Sequence, residues 1–202
     1  MTPSQFEGIW TSKYPLTPPI AYLLRDAYPE RWFRIHSLPE SKRYPEDESD
    51  WSILLDRQNS LISDLLGNNS DVLLVAGEYA FDSNNGHVWE FSPVDSIHHL
   101  PFTELKPVPL ETLNTERNLN EFKPGEFYRL VFSTIHWQSS TWDKLLKEIA
   151  YDELRAFFIS IANELIIAPY DGGIDIILKD EPTRNIYKTK YKDWLSIHES
   201  GL

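Results

Sequence analysis

RAFFISIANELIIAPYDGGIDIILK, residues 155–179, holds three apolar runs separated by two short polar breaks. The runs are Arg155 to Ile161, Leu165 to Tyr170 and Ile174 to Lys179, and the breaks are Ala162-Asn163-Glu164 and Asp171-Gly172-Gly173. Parallel strands need a crossover of a dozen or more residues, so breaks this short leave antiparallel pairing, and the stretch predicts a three-strand meander. Adjacent glycines behind an aspartate predict a tight hairpin in which glycine takes a positive φ.

Upstream, Phe127 to His136 reads as another strand. Ser140-Thr141-Trp142-Asp143 then opens a helix, with Ser140 as its cap and Trp142, Leu145, Leu146 and Ile149 as its inner stripe. Asp71 to Ala80 and His87 to Phe91, joined by Asp82-Ser83-Asn84-Asn85-Gly86, read as a hairpin. The clearest helix carries Trp51, Leu54, Leu55, Leu61, Ile62 and Leu65 on one stripe and ends at Gly67. Before it, Arg31 to His36 is a strand with Trp32, Arg34 and His36 on one side and Phe33 and Ile35 on the other. A short helix starts at Thr17-Pro18-Pro19, with Thr17 as cap, and stops at Pro29. Residues 92–125 read as a long, proline-punctuated connection. Downstream of the meander, Asp180 caps a last helix whose Tyr187, Tyr191, Trp194 and Leu195 share a face. The expected fold is therefore α+β: a mainly antiparallel sheet ending in a three-strand meander, with about four helices packed on it, in a single domain over residues 1–202.

Composition narrows the function classes. A chain of 202 residues with 41% hydrophobic residues and seven tryptophans can bury a substantial core, which excludes a disordered chain. There is no cysteine, so disulfides, thiolate metal sites and cysteine nucleophiles are excluded. A net charge of −12 argues against general nucleic-acid binding, which needs a basic face to release counterions. The first residues, Met1 to Ile9, carry neither a basic nor an apolar leader segment, and no run of 18 apolar residues occurs, so a cytoplasmic chain without membrane attachment is expected. Charge is uneven: Ser37 to Leu66 and Glu164 to Glu181 are acidic, whereas Thr183 to Lys192 carries Arg184, Lys188, Lys190 and Lys192 with no acid.

Against this acidic background Arg31, Arg34 and His36 run directly into a loop carrying Lys42 and Arg43. Forked guanidinium contacts suit a carboxylate or phosphate, so these five residues are ligand-binding candidates, with Asp171 and Asp175 beside them in the glycine turn. The alternative is that the bases pair with Glu40, Glu46, Asp47, Glu48 and Asp50. No metal site is expected: His98 and His99 are adjacent, and His36, His87, His136 and His198 stand alone without a metal-ligand spacing. Neither a phosphate-binding glycine loop nor a serine nucleophile elbow is present, and no cofactor is implied.

Arg34-Ile35-His36-Ser37-Leu38-Pro39 with Lys42-Arg43-Tyr44, and Pro169-Tyr170-Asp171-Gly172-Gly173-Ile174-Asp175 with Tyr191-Lys192-Asp193-Trp194-Leu195, resemble members of an uncharacterised bacterial family, a domain of unknown function. The resemblance implies a bacterial cytosolic protein and brings no activity or site residue with it. Two readings of function follow from the residues. The first is a non-catalytic protein-interaction or regulatory module whose acidic surface attracts a basic protein partner, a neutraliser of a basic toxin being one form of it. The second is a binder of a small anionic ligand, or a hydrolytic enzyme, built on Arg31, Arg34, His36, Lys42 and Arg43; it requires those side chains to converge on a concave pocket near Asp171 and Asp175.

Overall fold

The computed structural model describes residues 1–81, 90–117 and 121–196. Among them are six α-helices and eight strands: α1 (Pro3–Lys13), α2 (Leu24–Ala27), β1 (Trp32–His36), α3 (Glu48–Leu66), β2 (Ser70–Phe81), β3 (Thr103–Glu104), β4 (Val108–Pro109), α4 (Glu111–Arg117), β5 (Glu126–Trp137), α5 (Asp143–Ala150), β6 (Arg155–Ser160), β7 (Leu165–Tyr170), β8 (Gly173–Ile177) and α6 (Glu181–Lys190). The strands form one sheet in the order β1-β8-β7-β6-β2-β5-β3, with β4 also on β5, and every pairing is antiparallel. The meander β6-β7-β8 and the α+β class are as the sequence predicts. No helix among the described residues is long and apolar enough to cross a membrane.

Helices cover both faces of the sheet. Leu61, Ile62 and Leu65 of α3 and Leu145, Leu146 and Ile149 of α5 pack on the face lined by Phe33, Ile35, Leu74, Phe158, Ile167, Ile174 and Ile176. On the opposite face Phe6 and Trp10 of α1, Leu24 of α2 and Leu113 of α4 pack on Leu73, Val75, Phe132, Phe157, Ile166 and Ile177. Tyr191 is buried in the first cluster, with Tyr187, Trp194 and Leu195 packed against it.

Several local expectations are corrected. Residues 3–13, given no element in the sequence reading, are a helix with a capping box between Thr2 and Gln5. Thr17 caps nothing; its carbonyl accepts from Trp10 Nε1 at 2.7 Å, and the next turn starts at Ala21 without a side-chain cap. Ser140 does not cap α5: its N–H donates to Asn59 Oδ1 at 2.8 Å, and Asn59 Nδ2 donates to Asp143 Oδ1 at 2.7 Å, so the helix start is tied to α3. The expected hairpin partner of β2, His87 to Phe91, falls largely outside the described residues; β2 lies between β5 and β6. The connection 92–125 contains β3, β4 and α4.

The glycine turn is tight, Tyr170 pairing with Gly173, but neither Gly172 nor Gly173 has a positive φ. They are required by close approach: a Cβ on Gly173 would lie 2.1 Å from the Ile35 carbonyl oxygen of β1, and one on Gly172 3.0 Å from the Tyr170 ring. Backbone cannot yield as a flexible side chain can, so Gly173→Ala is expected to cost more than about 2 kcal/mol as overpacking. Gly8, in the middle of α1, has nothing within 4 Å of a Cβ. Gly8→Ala should therefore raise stability by about 0.5–1 kcal/mol. Urea denaturation of the two variants checks both signs, and a neutral Gly173→Ala would contradict the β1–β8 packing.

Candidate functional site

Direct cross-strand pairing sets Arg34 of β1 opposite Asp175 of β8. Arg34 Nε donates to Oδ1 at 2.7 Å and its terminal nitrogen to Oδ2 at 2.8 Å, while Trp32 Nε1 donates to Oδ1 at 2.9 Å. Both charged side chains are only 12% exposed. The Arg34 guanidinium also lies 4.7 Å from the centroid of the Tyr170 ring. Burial pulls the Arg34 pKa down, but the hydrogen bonds and charge of Asp175 outweigh it and leave it above the usual arginine value. Burial likewise raises Tyr170 to about 12.

A second pair flanks the first. Arg43, in the β1–α3 loop, donates Nε to Asp171 Oδ2 at 2.7 Å, and Tyr44 Oη donates to the same oxygen at 2.9 Å. The Asp171 hydrogen bond raises the pKa of both Arg43 and Tyr44. Here the cation is mostly in solvent, 65% exposed.

These four residues line one pocket of about 350 Å³, beside the β7–β8 turn. Arg25 of α2 and Arg155 of β6 complete its arginine set, with Tyr22, Tyr128, Tyr170 and Asp152 also in its wall. Arg155 meets Asp152 at 3.3 Å and lies 5.4 Å from the Tyr79 ring centroid; Arg25 meets Asp26 at 3.4 Å. Burial raises Tyr128 well above the ordinary tyrosine range.

Three of the seven candidates from the sequence lie elsewhere. Arg31 donates Nε to the Leu178 carbonyl at 2.6 Å and sits 5.1 Å from each of the Tyr14 and Tyr28 ring centroids, tying β1 to the end of β8. Lys42 pairs with Asp50 at 2.5 Å and Glu46 at 3.1 Å, the neighbouring acids that the alternative reading assigned to it. His36 lines a separate cavity with Arg57 and Trp194. Conversely, Arg25 and Arg155 were not singled out by sequence. Their signal was a single base beginning or interrupting an apolar run, too common to mark a site. No group of three His, Cys, Asp or Glu among the described residues is placed to hold a metal ion.

The two ion pairs differ in what their loss exposes. Removing one partner of a buried pair strands the other charge and costs about 3–5 kcal/mol, whereas an exposed pair contributes roughly 0–1 kcal/mol. Asp175→Ala is therefore expected to destabilise the fold by about 3 kcal/mol or more through Arg34 and Trp32, and Asp171→Ala by about 1 kcal/mol or less through Arg43. Denaturation midpoints measure the difference; equal losses would show that Arg34 is hydrated once Asp175 is gone.

No curated protein and no solved structure matches the chain. Residues 20–199, all of the sheet and every helix but α1, match the model of the family described as Domain of unknown function (DUF3885), and the chain belongs to that family.

Proposed function

We propose that the protein binds a small anionic ligand in the pocket beside the β7–β8 turn. The observation that carries this reading is the convergence of Arg25, Arg34, Arg43 and Arg155, from four separate segments, on one cavity in a chain of net charge −12. Arg34 is held by Asp175 through two hydrogen bonds and positions the wall. Arg43 and Arg155 are exposed and Arg25 is half-buried, and all three hold donors toward solvent, as a carboxylate or phosphate requires. Binding rather than turnover fits the carboxylates: Asp152, Asp171 and Asp175 are each held by an arginine, so none stands ready as a base.

The competing reading, a module that attracts a basic protein, rests on the acidic surface. Part of that surface is already taken by the chain's own cations: Asp64 holds Lys190, Glu164 holds Lys13, and Asp50 holds Lys42. From the last helix, Lys190 reaches Asp64 of α3, and Arg184 reaches Glu181 at 3.4 Å and Glu30 at 3.9 Å.

Calorimetric titration with citrate, benzoate and inorganic phosphate tests the proposal. At least one is expected to bind saturably, with Arg155→Met and Arg25→Met each weakening it about ten- to a hundredfold, the value of one charge-assisted hydrogen bond. Absence of saturable binding, or unchanged affinity in both variants, would sink it. Salt-sensitive capture of a basic protein by wild type and variants alike would instead favour the acidic surface.

A further inference from the structure

A cavity of about 360 Å³ lies where the β1–α3 loop meets the segment following α6. Arg57 of α3 projects into its wall, donating from Nη1 to the His36 carbonyl at 3.0 Å, with its guanidinium carbon 5.3 Å from the Trp194 ring centroid. Among the described residues no carboxylate lies within ion-pair distance of it. Burial holds Arg57 below the usual arginine pKa, and no neighbouring charge offsets that. Arg34 has Asp175 in the corresponding situation; a partly desolvated guanidinium with one carbonyl and one ring leaves most of its five N–H donors without an anionic partner.

Another part of the lining is strained. Glu40 and Ser41, both lining the cavity, are consecutive non-glycine residues in the left-handed region, with φ of 55° and 57°. Backbone of this kind costs free energy, persists only where its surroundings enforce it, and clusters at ligand clamps. The rim carries two exposed carboxylates, Glu40 and Asp193, which repel an extended polyanion while a small anion can pass between them.

We propose that this cavity is a second anion site, independent of the pocket beside the β7–β8 turn, and that it takes a small oxyanion, a carboxylate or a phosphate, on the Arg57 fork braced by Trp194.

Titration of the full chain with acetate and with inorganic phosphate, by calorimetry and by melting temperature, tests this on wild type, Arg57→Met, Arg57→Lys and Arg155→Met. At least one anion is expected to bind wild type saturably with a component that is at least tenfold weaker in Arg57→Met, partly retained in Arg57→Lys and unchanged in Arg155→Met, whatever that variant does to binding beside the β7–β8 turn. In anion-free buffer Arg57→Met should melt at or above the wild-type temperature, because an uncompensated cation has been removed. The proposal is overturned if neither anion binds, if Arg57→Met binds as wild type does, or if Arg57→Met melts lower while the wild type gains no stability from either anion, which makes Arg57 a packing brace for Trp194. Loss of binding in Arg155→Met rather than Arg57→Met assigns the anion to the other pocket and overturns this site alone.

Discussion

Strands β6, β7 and β8 are apolar on both faces, and the rest of the structure follows from having to cover them. Every residue of β8 is buried, as are five of the six in each of β6 and β7. Successive side chains of a strand point to opposite faces, so a continuous apolar run can be hidden only by a layer on each side. The α3–α5 layer meets half of that demand, and α1, α2 and α4 meet the other half. Full burial of a large apolar side chain contributes about 1.5–3 kcal/mol, so Phe6 and Trp10 of α1 alone matter against the few kcal/mol by which domains are stable. The N-terminal helix, although it lies outside the matched family residues, covers that sheet face together with α2 and α4.

Within this apolar slab the Arg34–Asp175 pair is the exception, and its position ties it to strand register. Arg34 and Asp175 face each other only in the observed pairing; a slip of one residue would turn Asp175 toward Phe33 or Ile35 and leave the guanidinium against hydrocarbon. A buried ion pair contributes little net stability compared with apolar residues of the same size, but breaking it is costly, so it penalises wrong registers more than it rewards the right one. Gly173 works in the same direction through sterics, since no other residue allows β8 to approach the Ile35 carbonyl. The wall of the candidate pocket is thereby built by the same contacts that align the sheet edge.

Much of this fold was legible in the sequence because its signals are local. Break lengths of three dictate the meander, and Asp180, Gly67 and the Trp51-to-Leu65 stripe mark helix ends and faces by chemistry acting within a few residues. The second helical layer was also signalled, by the continuous rather than alternating strands and by Thr2-Pro3-Ser4-Gln5, a capping box that sits before only two widely spaced anchors, Phe6 and Trp10. Non-local partners were not legible. Asn59 displaced Ser140 at the start of α5, and Trp137, at the end of β5, is wholly buried with its Nε1 on Ser63 of α3. For the site, sequence adjacency joined Arg31, Arg34, His36, Lys42 and Arg43, but strand alternation and the loop between them send these side chains to different places. Only Arg34 and Arg43 of that group reach the pocket, where they are joined by Arg25 and Arg155, which only folding brings near Asp171 and Asp175.

The net charge of −12 takes on a different meaning once the cations are placed. Exposed pairs such as Lys190–Asp64 and Lys13–Glu164 neutralise few of the 31 acids, so the outer surface repels anions at long range. Both arginine-lined cavities lie inside that field, where attraction is short-ranged and is felt only by a group small enough to enter. An extended polyanion meets the whole acidic surface at once, whereas a small anion meets it only briefly and then exchanges hydration for guanidinium contacts at lower effective dielectric. Under the proposed function the acidic coat is therefore a selectivity device: affinity comes from the few arginines that line the cavities, and exclusion of larger anions comes from the many carboxylates around them.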